Sequence, residues 1–379
     1  MNVRDRPWLM TAHMTKMKLL FVLPDLRVGG IERVRLTLIE QFVADGIECQ
    51  LALRRCRGEL LDRARAVAVV HELAPRAVHQ FVPVLAGLVR REKPSHVISA
   101  FSDVGFLVWM ALRLARSDAK WVHSVDQTHS KLASRQGAFG QARHWLENRM
   151  AGVAYRRANA VVSVSHGLRK EILTRYRIPQ GRIITVYNPI VPREALMWVR
   201  AAGCSGERQR SIVGMGRLVP LKGFDLLITA MSAVRGPWRL DIWGSGPQRA
   251  SLESLIRASG MQDRICLRGY TEDPYARLRE ADVFVSASRH EGLGNALVEA
   301  MACQCQIIAT DCPHGPREIL AKGKFGQLVP PDDPAALAHA INRVLDGDFF
   351  VEPKLLLERA NAFTSEKSCS RWKALLRSL

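Results

Sequence analysis

The sequence predicts an α/β protein built from two doubly wound parallel-sheet domains, and three observations carry that expectation. Short apolar runs alternate with amphipathic stretches along the chain. The alternation breaks once, after Tyr187-Asn188-Pro189, and restarts at Ser211. Several apolar runs are followed by glycine-bearing turns, as at Gly29-Gly30, Gly214-Met215-Gly216 and Gly292-Leu293-Gly294. Strand and helix in strict alternation imply parallel strands covered on both faces. The length, 379 residues, suits two such domains.

Taken in order, residues 18–23 read as a buried strand. Gly29-Gly30 then opens a helix over 31–44, with Ile31, Val34, Leu38 and Phe42 at helical spacing. Further strands are expected around Leu51 and over 67–71, 96–99, 121–125, 161–164 and 183–186. Helices over 78–91, 104–115, 141–157 and 167–176 lie between them. The stretch from Tyr187 to Gln209 is irregular and reads as the link between domains. Beyond it, strands are expected over 211–215, 240–243, 265–267, 283–285 and 307–309, with helices including 248–258 and 335–345. Residues 1–16 are polar and mixed, without the apolar core of a signal peptide, and read as a lead before the first strand.

Bulk properties narrow the class. Hydrophobic residues make up 47% of the chain, enough for packed cores, and the formal charge is +19. Such a charge suits nucleic acid, an anionic membrane surface or an anionic substrate. No nucleic-acid-binding motif is present, and the arginines are not interleaved with aromatics in the manner of such a surface. The eight cysteines, at 49, 56, 204, 266, 303, 305, 312 and 369, form no Cys-x-x-Cys pair. That argues against a zinc site or a disulfide framework and for a reducing compartment. No apolar run reaches the length of a spanning helix. The helix over 141–157 sets Arg143, Arg149, Arg156 and Arg157 beside Trp145, Leu146, Met150, Val153 and Tyr155. This pattern suits a helix lying on anionic lipid and equally suits a solvated helix face.

The most informative stretch runs from Asp282 to Glu299. An apolar strand, 283–285, gives way to a polar turn, then to Glu291, Gly292, Leu293 and Gly294, and then to a helix for which Asn295 reads as the N-cap. Bare amides and the positive end of a helix dipole make such a turn an anion site, with phosphate the usual anion. Glu291 and Glu299, with seven residues between them, flank it. A carboxylate beside phosphate is repulsive unless it has a separate job, and accepting hydrogen bonds from sugar or ribose hydroxyls is one.

The sequence Glu291-Gly292-Leu293-Gly294-Asn295-Ala296-Leu297-Val298-Glu299 resembles the E-x7-E signature of the retaining family 4 glycosyltransferases, of the bacterial polysaccharide and lipopolysaccharide type. The resemblance implies the GT-B fold, two Rossmann-like doubly wound domains facing a cleft. The expected division is an acceptor-side domain over 17–190, a nucleotide-sugar domain over 205–362, and a final segment over 363–379 crossing back to the first domain. Gly216-Arg217, followed by Lys222-Gly223, matches the family's G-R-x-x-x-x-K-G pattern. Arg217 and Lys222 would then neutralise a diphosphate, Glu291 would hold the sugar, and Glu299 the ribose. Gly244, Gly246, Gly269, Tyr270, Gly292, Leu293, Gly294 and Asn295 would line the donor pocket. Gly29 and Gly30 would approach the donor phosphates or the acceptor. Taken singly, each glycine turn also reads as an ordinary strand-to-helix connection. The loop Asp311-Cys312-Pro313-His314-Gly315-Pro316-Arg317-Glu318 is similar to that of members using UDP-sugars.

The family places a histidine of the first domain near the sugar. Here Asp126 takes that alignment, with His123 and His129 three residues to either side, so the role stays open among them. Asp346-Gly347-Asp348 is the one Asp-x-Asp match and reads as a turn after a late helix, so no metal or other cofactor is expected. The expected function is transfer of a hexose or N-acetylhexosamine from a nucleotide diphosphate sugar, UDP rather than GDP, with retained configuration. The expected acceptor is lipid-linked, lipopolysaccharide or exopolysaccharide, met in the cytoplasm or peripherally at the inner membrane's cytoplasmic face. The alternatives are a nucleotide-sugar epimerase or phosphorylase on a similar fold, and a non-catalytic basic membrane- or nucleic-acid-binding protein.

Overall fold

The computed structural model describes residues 17–27, 29–75, 78–127, 138–198 and 209–379. The chain divides into two compact units, one of Met1–Pro189 with Ser365–Leu379 and the other of Ile190–Thr364. The expected leading segment, His129 and residues 199–208 of the link, with both its glycines, lie outside the described residues.

The first unit is a seven-stranded parallel sheet in the order β3-β2-β1-β4-β5-β6-β7. Its strands are β1 (Lys18–Leu23), β2 (Glu48–Leu53), β3 (Val69–Glu72), β4 (His96–Ala100), β5 (Lys120–Val125), β6 (Ala160–Ser163) and β7 (Ile183–Thr185). Its helices are α1 (Gly30–Ala44), α2 (Leu61–Val67), α3 (Val78–Glu92), α4 (Ser102–Ala115), α5 (Ala138–Arg157) and α6 (His166–Tyr176), with α14 (Ser365–Arg377) at the far end of the chain. The central strands β1 and β4 are buried almost end to end, as a sheet covered on both faces requires. The edge strand β3 is not. The sequence reading passed over α2, whose seven residues carry only one buried side chain, Ala64, and so show no apolar periodicity.

Helix α14 belongs to this unit because its apolar stripe is part of the unit's core. Trp372 is 1% exposed and Cys369, Leu375 and Leu376 are buried with it among the β1 and β2 side chains. The imidazole of His96 and the Leu376 carbonyl are 3.0 Å apart, and Lys373 pairs with Asp45 at 2.8 Å. Burial of a tryptophan in this way is worth about 3–5 kcal/mol against alanine.

The second unit is a six-stranded parallel sheet in the order β10-β9-β8-β11-β12-β13. Its strands are β8 (Arg210–Met215), β9 (Trp238–Trp243), β10 (Ile265–Gly269), β11 (Val283–Ser286), β12 (Gln306–Thr310) and β13 (Gln327–Val329). Its helices are α7 (Phe224–Met231), α8 (Arg249–Ala258), α9 (Pro274–Arg279), α10 (Asn295–Ala302), α11 (Pro316–Ile319), α12 (Pro334–Leu345) and α13 (Pro353–Ala360). The unit begins at Ile190, earlier than the expected 205. The reason is local bonding. The Ile190 and Val191 amides donate to the Phe363 carbonyl, the Tyr275 hydroxyl donates to the Ile190 carbonyl at 2.6 Å, and Gln304 donates to the Trp198 carbonyl at 2.6 Å.

Candidate functional site

Each sheet has one switch point, where consecutive connections turn from one side to the other. In open α/β sheets ligands bind there, at the carboxyl ends of the strands. In the second unit the switch lies between β8 and β11, because the chain steps outward from β8 through β9 to β10 and then returns to β11. The turns that follow these strands are bonded to one another along that edge. Gly244 donates to Gly269, Gly216 to Trp243, Leu218 to Ser245 and Arg289 to Leu221, all through backbone amides at 2.7–2.9 Å, and the Glu291 amide reaches Pro313 at 3.3 Å. Gly244 shows why a glycine is needed here. Its φ is +145°, and a Cβ on it would stand 1.8 Å from the Gly216 carbonyl oxygen.

Lys222 and Glu291 meet at the switch. Lys222 Nζ donates to Glu291 Oε1 at 2.6 Å, and Ser288 Oγ donates to the same oxygen at 2.7 Å. The Glu291 side chain is 11% exposed and that of Lys222 26%. The lysine stem runs over Gly216, where a Cβ would already touch its Cδ and Cε at 3.4 Å. Glu291 Oε2 accepts from no described residue, so one face of the carboxylate stays available to a donor. Arg217 sits on the same turn, exposed and without a carboxylate partner among the described residues.

Helix α10 begins beside them. Its N-cap is Gly294, in the left-handed region at φ +99°, and Asn295 is the first helical residue rather than the cap expected from its type. The Leu297 and Val298 amides turn back to the Gly294 carbonyl, while those of Leu293, Gly294 and Ala296 donate to no described residue. These are the orphan donors of a helix start, and they favour an anion. Glu299, one turn on, is buried. The neighbouring thiol of Cys312 is pushed up to about 12, by burial first and then by the Glu291 charge, so it stays protonated. Gly269, the last residue of β10, is half-buried and Tyr270 after it is exposed, at the far end of the same edge, with Gly246 packed on the Leu218 backbone.

Sequence reasoning missed the residue that braces this turn. Arg289 donates to both carboxylate oxygens of Asp225 at 2.9 and 2.7 Å, to Asp332 at 2.7 Å and to the Pro220 carbonyl at 2.6 Å. The Asp225 hydrogen bonds hold the Arg289 guanidinium charged well above its usual range. It thereby pins the 220–223 turn, which carries Lys222, to the strand end that carries Glu291. In sequence it is one arginine among many, and no local spacing singles it out.

The first unit places its expected residues differently. Gly29 caps α1 with extended backbone, and Gly30 is the first helical residue. The preceding loop is braced by Asp25, which accepts from Arg27 at 2.9 Å and from Arg57 at 3.1 Å. His123 is 0% exposed and lies in the core, not at a ligand surface. Its Nδ1 is 2.8 Å from Ser99 Oγ, and its ring fills the space left by Gly105, where a Cβ would come within 2.6 Å of it. Burial, with some help from the Arg35 charge, pushes its pKa down to about 3, so the imidazole is neutral. The expectation that His123 faces a sugar is therefore corrected: β5 is a central strand covered on both faces, and His123 lies within it rather than in the turn beyond its end. Asp126, just past β5, is paired with Arg35 of α1, which also donates to Ser124 Oγ at 2.6 Å. Arg35 is 1% exposed and was missed, although it falls on the apolar stripe between Val34 and Leu38, where a charge demands a buried partner. Asp346-Gly347-Asp348 is a turn, with Asp346 paired to Arg235 at 2.5 Å.

Two family models match, "Glycosyl transferases group 1" over residues 209–347 and "Glycosyltransferase Family 4" over residues 28–194. A glycosyltransferase model thus matches part of each unit. The chain is 22% identical over 353 residues to a lipopolysaccharide 1,6-galactosyltransferase of Escherichia coli, covering 90% of this chain and 93% of that one. It is 26% identical over 203 residues to an N-acetylgalactosaminyltransferase of Campylobacter jejuni that acts on a diphospho-undecaprenol-linked sugar. That match covers 52% of this chain and 54% of the Campylobacter enzyme. Among solved structures, HepE of Anabaena in complex with UDP-glucose superposes with a TM-score of 0.78 at 19% identity, covering 96% of this chain and 100% of that one. At that identity the likeness concerns the fold, and it agrees with two parallel-sheet Rossmann-like units. Among the described residues, no helix is long and apolar enough to cross a membrane.

Proposed function

We propose that the protein transfers a hexose or N-acetylhexosamine from a UDP-sugar to a hydroxyl of a lipid-linked, lipopolysaccharide or exopolysaccharide acceptor, with retention of anomeric configuration. The reading rests on one observation: Lys222 and Glu291 in contact at the switch point of the second sheet, beside the bare amides that start α10. The neighbouring structure with UDP-glucose and the relatives named for lipopolysaccharide and undecaprenol-linked sugars support the donor and acceptor classes.

As the glycosidic bond breaks, negative charge grows on the leaving phosphate. Lys222, Arg217 and the amides of Leu293, Gly294 and Ala296 would meet it, each well-placed donor being worth about 3 kcal/mol in a site from which water is excluded. These cations fill the part a metal plays elsewhere, so the reaction is proposed to run without one. Glu291 would use Oε2 to accept from the sugar's hydroxyls, and buried Glu299 would take the ribose. Asp126, held by Arg35, is proposed to take part in catalysis, in the role the family gives to a histidine of this domain. The enzyme would work in the cytoplasm.

A thermal-shift panel of UDP, GDP, ADP and their sugars tests the donor, because a ligand bound only by the folded state raises its stability by mass action. A shift confined to UDP and UDP-sugars is expected, unchanged by a chelator. A guanine or adenine preference would overturn the donor assignment. Release of free epimerised nucleotide sugar without an acceptor would replace transfer by epimerisation.

A further inference from the structure

We propose that Arg27 and Arg57, held on one buried carboxylate at the ligand edge of the first sheet, form an anion subsite for a phosphate or carboxylate group carried by the acceptor sugar. The proposal rests on the reading that the protein transfers a sugar, and it narrows the acceptor to an anionic glycan.

The place follows from the topology. The chain steps outward from β1 through β2 to β3 and then returns to β4 on the other side of β1. The switch point of the first sheet therefore lies at the carboxyl end of β1, where ligands of such sheets bind. Two loops leave the sheet beside it, residues 24–29 after β1 and 54–60 after β2. Backbone bonds hold these loops together. The Arg54 and Arg55 amides donate to the Leu23 and Pro24 carbonyls at 3.1 Å, the Leu26 amide to the Arg57 carbonyl at 3.0 Å and the Leu60 amide to the Leu26 carbonyl at 3.2 Å. Gly58, at φ +116°, comes so close that a Cβ on it would stand 2.1 Å from the Leu26 carbonyl carbon.

The side chains add a feature that loops already joined do not need. Asp25 is 4% exposed. Its Oδ2 accepts from Arg27 Nε at 2.9 Å and from both Nε and Nη2 of Arg57 at 3.1 Å. Burial by itself would raise the Asp25 pKa, but these hydrogen bonds outweigh it and hold the carboxyl below its usual range. One buried negative charge thus fixes two positive ones, on side chains that are 65% and 49% exposed. A guanidinium has five N–H donors. Both Nη groups of Arg27 and Nη1 of Arg57 have no acceptor among the described residues. Two guanidiniums fixed in advance lose little freedom on meeting an oxyanion, and their planar forks suit phosphate or carboxylate. Arg54 and Arg55 stand on the same loop, with no side-chain partner among the described residues.

The neighbouring acids do not close the site. Glu72 accepts from the Cys56 amide at 2.9 Å. Glu32 occupies the start of α1, where a Cβ on Gly29 would come within 2.2 Å of its Oε2, and the helix dipole favours a carboxylate there. Glu59 acts on the Arg27 charge less than Asp25 does. An anion arriving at this edge therefore meets guanidiniums, while the helix start is filled by the chain's own acid.

The test is calorimetric titration of the full chain, in excess UDP, with glucose 6-phosphate, glucuronate and glucose. At least one charged sugar is expected to bind tenfold or more tightly than glucose, and the tighter of the two identifies the acceptor's anionic group. Arg27→Gln/Arg57→Gln should lose about tenfold or more of that affinity and keep the Kd for UDP. Arg113→Gln/Arg116→Gln removes the same charge at the other end of α4 and should bind as the wild type does. Circular dichroism checks the fold. Arg27→Gln alone, which leaves Arg57 on Asp25, is read in the same way where the double variant does not fold. Equal binding of charged and neutral sugars, no binding of any, or full binding by the Arg27/Arg57 variants would overturn the proposal. Binding of a charged sugar by a chain that does not bind UDP would sink the donor reading and leave the anion subsite standing, and the reverse result would do the opposite.

Discussion

Lys222 and Glu291 form an ion pair, and the proposed chemistry requires its two halves to act in opposite senses on a bound nucleotide. Consider Lys222→Met and Glu291→Gln separately. Without the ammonium, the Glu291 carboxylate keeps only the Ser288 hydroxyl at 2.7 Å, on a side chain 11% exposed. The fold should then lose about 1–3 kcal/mol, less than a fully buried pair would cost because the lysine is partly in water. The nucleotide effect is separate. A hydrogen bond from a cation to phosphate is worth about 1.5–3 kcal/mol, so the Kd for UDP should rise about 10- to 100-fold. Glu291→Gln removes a negative charge from beside the same phosphates while keeping a polar group of the same shape. UDP, which carries no sugar for Glu291 to hold, should bind as well or better, while turnover with a UDP-sugar falls by about a hundredfold or more. Calorimetric titration with UDP, urea unfolding and a transfer assay read the three quantities. If both variants weaken UDP equally, the pair is only a structural brace and the phosphate assignment to Lys222 is wrong.

Three further outcomes are expected. Burial pushes the pKa of His123 down to about 3 in the fold, against about 6.5 for a free imidazole, so the folded state binds fewer protons. Its contribution is intact above about pH 6.5 and is lost as pH falls toward 3, at up to about 1.4 kcal/mol per pH unit, so His123→Gln should flatten the acid limb of stability measured by urea unfolding between about pH 7.5 and about pH 5. Gly244→Ala drives a Cβ to 1.8 Å from the Gly216 carbonyl, whereas at Gly269, with φ +81°, nothing lies within 4 Å. The first should cost about 3 kcal/mol or more and disturb UDP binding, and Gly269→Ala only the left-handed strain of about 1–2 kcal/mol, as compared by thermal denaturation. Arg289→Leu abolishes the bonds that pin the Lys222 turn, so UDP affinity should fall about tenfold even though Arg289 is assigned no contact with the nucleotide; an unchanged affinity would show that the turn holds itself.

Some parts of this protein were plain in the residues. The strand at 18–23 and the helix at 335–345 were legible because their apolar side chains follow the period of the element they build. The Glu291–Glu299 stretch was legible because its glycines, acids and helix start are local. Other parts depended on distant residues. Helix α2 buries a single alanine, so it leaves no periodic trace. Gly294 rather than Asn295 caps α10 because the loop's path, set by packing against the 313–315 turn, brings the chain in through a left-handed residue. His123 read as a site residue because the family places a first-domain histidine near the sugar, yet it lies within β5, a strand buried on both faces, where its ring packs in the core.

The sequence by itself determined the two parallel sheets, the glycine turns at their carboxyl edges and the acids and cations available there, since each is written in spacing along a few consecutive residues. The tertiary structure decided which of those groups meet. Lys222 and Glu291 are 69 residues apart and Arg35 and Asp126 are 91 apart. Such contacts arise only when β8 is laid beside β11, and α1 is packed near the end of β5. Pairing across a sheet is fixed by the packing of the whole unit, and no local pattern encodes it.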